Sequence, residues 1–325
     1  MNNFKKIGIS ALAGSLVAFS VNAADLSVTG GASISFAGQD KTNAGNTWSM
    51  NDSMTFAGSA EMDNGWTVST SFLLDDSDGS DATNHVFDDR SMTINMNEAG
   101  TISFDGRGGV SAMHSIDDML PYADTAGWDM MSAATASSAT REGRVTGTQG
   151  DNMLRYTNSS AIDGLSVAVS YMPSNGTVVE STTSWNVQYS GVEGLTVGYG
   201  QDENGTGVSS TEVDSSAMFA TYAYGPVTVG YQKSEDDAAT ASASDEFTGY
   251  GISYAVSDDL SISYTETAYD LGSSATDEET TTIGASYTMG SMTLAVTLNE
   301  VENIGGSTAA IDDVEGYDFT LSFAF

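Results

Sequence analysis

The stretch Tyr317–Phe325 reads YDFTLSFAF. In an extended chain, side chains alternate between two faces. Tyr317, Phe319, Leu321, Phe323 and Phe325 then share one face, and Asp318, Thr320, Ser322 and Ala324 share the other. Nothing polar follows Phe325 in a chain of 325 residues with a formal net charge of -35. A strand this apolar on one side needs something to cover it.

The same period of two recurs along the chain. It appears in LSVTGGASISF (26–36), TISFD (101–105), LSVAVSY (165–171), WNVQY (185–189), LTVGY (195–199), VTVGY (227–231), LSISYTE (260–266) and MTLAVTL (292–298). One parity is apolar or aromatic. The other is mostly Ser, Thr, Gly, Ala, Asn or Gln. Connections of turn-grade composition lie near 63–65, 98–100, 159–164, 191–194, 225–226, 257–259 and 289–291. They alternate with long polar connections near 38–47, 76–87, 107–150, 174–182, 202–212, 235–245, 270–279 and 301–313. Seven short and eight long connections join sixteen strands and leave both ends of the barrel segment on the short-turn side.

Composition narrows the class. Gly is abundant at 35 and Pro scarce at 3, which suits an all-β chain. There is no Cys, so disulfides and thiolate chemistry are excluded. Residues 1–23 read as a signal peptide: basic MNNFKK, an apolar core IGISALAGSLVAFS, and small residues Val21 and Ala23 before the expected cut. Without it, seven cations face 44 acids, a charge of -37. That excludes nucleic acid as a partner. No later run is long and apolar enough for a spanning helix.

A soluble sandwich would have to hide its apolar face against a second sheet, and its loops would not all be long at one end. A water-facing soluble sheet also seldom has a Ser/Thr/Gly face without Lys or Glu. Hydrocarbon outside and water inside explain both faces, provided the sheet closes so that no backbone group is left unpaired. The expectation is therefore an all-β, 16-stranded antiparallel transmembrane barrel over 24–325, wide enough for an aqueous channel.

On these features the chain resembles the general bacterial porins of Gram-negative outer membranes, in particular the alphaproteobacterial type. The resemblance rests on the signal peptide, the sixteen-strand count, Phe325 and one outsized loop after the fifth strand. It implies short periplasmic turns, long extracellular loops and a homotrimer of water-filled pores for passive diffusion of ions and small hydrophilic solutes. It implies a third loop, 107–150, folded inward to constrict the pore. It also implies that Tyr317, Phe319, Leu321, Phe323 and Phe325 form an insertion signal read by the barrel-assembly machinery, and that the membrane partner is rich in lipopolysaccharide.

Within 107–150, MHSIDDMLPY and WDMM supply apolar residues that could hold the loop against a wall. An inward loop would bring His114, Asp117, Asp118, Asp124 and Asp129 to the narrowest point; an outward loop would leave them solvated. Arg107, Arg141, Arg144 and Arg155 bracket it, and parity turns Asp105, Arg107 and Arg155 into the lumen. Facing charges of this kind either set a transverse field or anchor the loop base. The inward positions of the first three strands hold no base, unlike the arginine cluster of the resembled family, and the overall charge favours cations.

All 14 Tyr lie at or beyond Tyr122. Earlier strands turn small residues, Met and Phe outward, and Gly30, Ala32, Phe36, Phe56, Gly58 and Ala60 are expected at the trimer contact. No nucleophile elbow, P-loop or HExxH motif is present, and His85 and His114 are far apart, so neither an enzyme nor a cofactor is expected. The acidic runs 75–81 and 234–237 are candidate Ca²⁺ sites, with solvated loop charge as the other reading. A substrate-specific channel, or a secreted adhesin or surface protein without a pore, remain the alternative functions.

Overall fold

The computed structural model describes residues 25–40, 47–75, 87–122, 145–174, 181–204, 213–238, 244–274, 276–308 and 313–325. The expected signal peptide lies outside them. Sixteen strands close one barrel: β1 (Asp25–Gln39), β2 (Thr47–Glu61), β3 (Thr67–Asp75), β4 (Arg90–Asn95), β5 (Thr101–Arg107), β6 (Met153–Ile162), β7 (Leu165–Met172), β8 (Thr182–Val192), β9 (Leu195–Asn204), β10 (Val213–Tyr224), β11 (Val227–Ala238), β12 (Asp245–Ala255), β13 (Leu260–Leu271), β14 (Glu278–Met289), β15 (Met292–Glu302) and β16 (Val314–Ala324). Each strand pairs antiparallel with its sequence neighbours, and β16 pairs with β1. The strand number and topology expected from the alternation are those observed. Among the described residues no helix is long and apolar enough to cross a membrane, so crossing falls to the strands.

The outer face follows the predicted parity. Val28, Ile34, Phe104, Val169, Val187, Ile252, Ile283 and Leu298 are all exposed on it. Aromatics cluster toward both strand ends. Phe36 packs tilted against Trp48 at 4.7 Å and Trp185 against Tyr199 at 5.7 Å toward the long-loop end, while Tyr231 packs tilted against Tyr250 at 5.2 Å nearer mid-strand. Tyr189, Tyr222, Tyr254 and Tyr287 lie exposed near the short turns. Rings that are apolar with one polar tip suit a membrane–water boundary. The turns close with glycines at positive φ, among them Gly164 (φ 73°) and Gly194 (φ 77°).

Several strand boundaries differ from expectation, as where β9 runs to Asn204 and β6 to Ile162. Residues 234–237, read as loop, lie inside β11, where Glu235 pairs with Glu246 and Asp236 with Asp245. The ladder continues past the aromatic belt into water, where carboxylates are solvated and no longer end a strand. Among the described residues no three acidic or histidine side chains are grouped to hold a metal.

Closure has a specific device. Gly30 and Phe325 exchange backbone hydrogen bonds, 2.8 Å from Gly30 N and 2.9 Å from Phe325 N. The Phe325 ring lies over Gly30 on the outer face. A methyl there would sit 2.8 Å from Phe325 Cζ and 2.8 Å from Ser53 O. Gly30 is thus covered by its own chain, and at this point the Phe325 ring forms the outer surface. Gly30→Val should lower the folded, heat-modifiable fraction several-fold, and Phe325→Ala in the same chain should recover part of it, because steric neighbours couple. Undiminished folding of Gly30→Val, or no recovery, would refute the seat.

Candidate functional site

The segment leaving β5 does not run outward. Its two ends pair as a short ribbon, Gly109–Val110 with Gln149–Gly150. A single 3-10 turn, Met113–Ile116, follows. Met113, Ile116, Leu120 and Val145 are fully buried and pack with Ala217 and Phe219 of β10, Phe247 of β12 and Tyr269 of β13. Its hydrogen bonds reach β7, β8, β9 and β11. One segment can touch strands from β7 round to β13 only from the concave side, so the loop lies inside the barrel.

The inner wall is shaped to receive it. Ala112 N donates to Ser170 Oγ (2.9 Å) and Met113 N to Ser184 Oγ (2.8 Å). Asn186 Nδ2 donates to Ala112 O and to Ser115 Oγ. Met119 N donates to Gln232 Oε1 (2.7 Å), and Gln232 Nε2 returns a bond to Asp117 O. Inward glycines leave room for the apolar side chains. A methyl on Gly200 would sit 3.0 Å from Ile116 Cδ1, and one on Gly249 2.5 Å from Leu120 Cδ1. Methyls on Gly230 and Gly251 would meet Pro121.

Asp202 of β9 is 1% exposed and ties both arms of the loop. It accepts from Ser111 Oγ (2.8 Å) on the outgoing arm and from Thr148 N on the returning arm. Sequence reading treated 202–212 as a polar connection and so missed it. It also took the inward rows as small and neutral, and so missed Phe219, Phe247 and Tyr269. The available signal was AMFATY (217–222), where apolar residues occupy both parities.

The expected lumen charges separate. Asp117 is buried inside the loop, where it accepts from Gly147 N (2.7 Å) and sits 3.0 Å from His114 Nδ1. This corrects its placement at the water-filled opening: its carboxylate satisfies backbone within the loop. Asp118 accepts from Tyr122 Oη at 3.1 Å. Asp105 and Arg155 face inward on adjacent strands and attract one another. Arg107 lies 3.9 Å from Asp88. Asp124, Asp129, Arg141 and Arg144 lie outside the described residues. At the loop root Gly108 takes φ 67°, and any side chain on it would collide with the Asp89 carboxylate. Burial, reinforced by Asp88 and Asp105, pushes Asp89 up to about 6, against the opposing pull of Arg107.

A closed sixteen-stranded barrel holding an inward loop has clear counterparts. The family model for Gram-negative porins matches residues 8–306. The chain belongs to the Gram-negative porin family. Solved porins share the fold at low identity. A Salmonella typhi OmpF structure in complex with daunomycin is 16% identical, covering 94% of this chain and 99% of its own, with a TM-score of 0.67. A mutant Rh. blastica porin is 14% identical over 92% and 100%, with 0.66. An anion-selective porin from Comamonas acidovorans is 13% identical over 93% and 100%, with 0.68. No curated protein matches the sequence. The protein is thus an outer-membrane porin of a family of channels.

Two outcomes follow for this porin. Gly249→Val should expel Leu120 at a cost of about 2 kcal/mol, raising single-channel conductance and speeding protease cleavage within 107–150. Unchanged conductance and cleavage would contradict the docking. Because the folded Asp89 carboxyl sits above its ordinary range, its protonation stabilises the folded state. That contribution is full below the ordinary carboxylate pKa of about 4 and is lost as pH rises through about 6. Thermal midpoints compared at acid and neutral pH should therefore differ less in Asp89→Asn than in the parent. An equal difference would exclude Asp89 as the source.

Proposed function

We propose that the protein is a general diffusion porin, passing ions and small hydrophilic solutes through a lumen narrowed by the loop 107–150, with a preference for cations. The observation that carries this reading is the loop's attachment to β7–β13, across from a wall of β1–β3 whose inward residues are mostly small and neutral, such as Ser33, Ser35, Thr55 and Ser69, with the carboxylates Glu61 and Asp75 near the strand ends. A substrate-specific channel would line its path with a row of aromatics or charges. Here the inward aromatics Phe219, Phe247 and Tyr269 are covered by the loop. The family excludes the adhesin alternative.

Charge supports the cation preference. Among the described residues Arg155 is an inward guanidinium, and Arg107 stands at the register shift where β5 meets Arg90. The inward carboxylates include Glu61, Asp75, Asp105, Asp202, Glu278 and Asp318. An anion-selective neighbour of the same fold fits the view that local charge, not barrel architecture, sets ion preference.

The proposal extends to assembly. Residues 1–23 direct export and are removed, the barrel-assembly machinery reads the row Tyr317–Phe325, and lipopolysaccharide surrounds the outer rim. The tyrosine-free face of β1–β5, including Ala32, Phe36, Phe56, Gly58 and Ala60, packs in a homotrimer. Reversal potentials across bilayers in a KCl gradient test the central reading. Conductance with K⁺ favoured over Cl⁻ is expected; a Cl⁻ preference would overturn the selectivity, and absence of channels would overturn the pore.

A further inference from the structure

Two charged side chains interrupt the outer face of the early strands. Asp52 lies in β2 between Met50 and Met54, opposite Ala32 of β1, and is exposed. Ala32 shares the outward row of Val28 and Ile34, which are 49% and 45% exposed, so Asp52 points away from the lumen. Arg90 of β4 pairs with Phe72, which pairs with the outward Phe56. Its guanidinium lies along the same face, with Nε 3.2 Å from where a methyl on Gly106 would stand. Neither side chain has an ion-pair partner among the described residues. The outward Lys233 is already engaged, 3.3 Å from Glu235 and 2.9 Å from Glu246. Asp52 is well inside β2 rather than at its ends, and a charge facing hydrocarbon at that depth is unfavourable.

The two charges cannot meet within one copy. Four residues along β2 and two strands across the sheet set them roughly 16 Å apart. Their depth, however, matches. Strand tilt makes cross-strand rows climb away from the short turns with increasing strand number over most of the barrel, although at β3–β4 Thr67 pairs with Asn95, the last residue of β4. Leu195 begins β9 yet pairs with Tyr222, two residues before β10 ends at Tyr224, and Leu260 pairs with Tyr287 with the same offset from Met289. At a tilt of about 40°, the row from Phe56 to Arg90 rises ~6 Å, while β2 rises ~10 Å from Phe56 to Asp52. The two thus share a level to within about 4 Å, less than the reach of an arginine, and stand side by side round the barrel.

We propose that Asp52 of one copy pairs with Arg90 of a second copy across the face of β1–β4. The occupant of that face is another molecule of this chain, because the face offers both charges at one depth and the complement of each is the other. In a cyclic trimer every copy presents Asp52 to one neighbour and Arg90 to the next, so the ring closes with no charge left over. The pair fixes the rotation and height of the subunits, which small residues and Met alone would leave loosely set. This rests on the trimer reading above but goes beyond it by naming the contact.

The test uses the full chain extracted in mild detergent, sized by native gel and light scattering. Asp52→Lys and Arg90→Glu should each weaken assembly roughly ten-fold or more, and the double exchange should restore trimers. Asp52→Ala and Arg90→Ala should give the same direction without introducing repulsion. Heat-modifiable migration and β-sheet circular dichroism report folding separately, so a misfolded reversal is replaced by its alanine counterpart. A parent that is monomeric overturns both the trimer and the pair. A trimeric parent whose single variants stay trimeric, or whose double exchange stays dissociated, overturns the pair and leaves the trimer standing.

Discussion

A peptide N–H or C=O in hydrocarbon has no water to bond, and each one left unpaired costs several kcal/mol. A sheet that spans a bilayer therefore cannot have an edge. In this chain the closing seam is the ladder between β1 and β16, completed by the reciprocal bonds of Gly30 and Phe325. Once the seam exists, a side chain can point only outward or inward. The alternation of residue types along every strand is the consequence. Outward Val, Ile and Leu sit between aromatic belts, and inward Ser and Thr face water or the loop. The aromatic row of Tyr317–Phe325 is the last of these outward rows, and its cover is membrane or a neighbouring subunit.

Closure also creates an interior too wide for side chains to fill. The loop after β5 occupies part of it, and its attachment obeys the economy of any protein core. Apolar side chains meet apolar side chains, as Ile116 and Leu120 meet Phe219 and Phe247. Backbone donors find fixed acceptors, as with Ser170, Ser184 and Gln232. The attachment is one-sided: polar anchors and glycine recesses lie on β7–β13, while β1–β3 keep small hydroxyl side chains. A loop free to lie anywhere would give a pore of variable width; Asp202, holding both arms at once, removes that freedom.

The fold was legible in the sequence because period-two alternation survives residue by residue, and because short and long connections alternate without exception. The inward position of the loop was legible from its Met, Leu and Tyr content. Two kinds of feature were not. Strand ends were misplaced where acids continue the ladder into water, as at Glu235 and Asp236, since acidic composition signals solvent rather than the end of pairing. The docking wall was hidden because Phe219, Phe247 and Tyr269 occupy the parity otherwise filled by Ser and Thr, and only the position of the loop shows why. Asp202 read as part of a polar connection and Asp117 as a charge at the narrowest point of the pore; what distinguishes them is burial against backbone donors far away in sequence.

Glycine links the two faces. On the outside, Gly30 admits the ring of Phe325; on the inside, Gly200, Gly230, Gly249 and Gly251 admit Ile116, Leu120 and Pro121. In each case the missing side chain lets a second segment approach the sheet closely, and the gain is packing that a β-branched residue would prevent. A strand glycine normally weakens a sheet, yet here the ladder is continuous from strand to strand, so the sheet tolerates several. The barrel can thus hold a loop within and a ring without while its backbone pairing, the condition for existing in a membrane at all, stays intact.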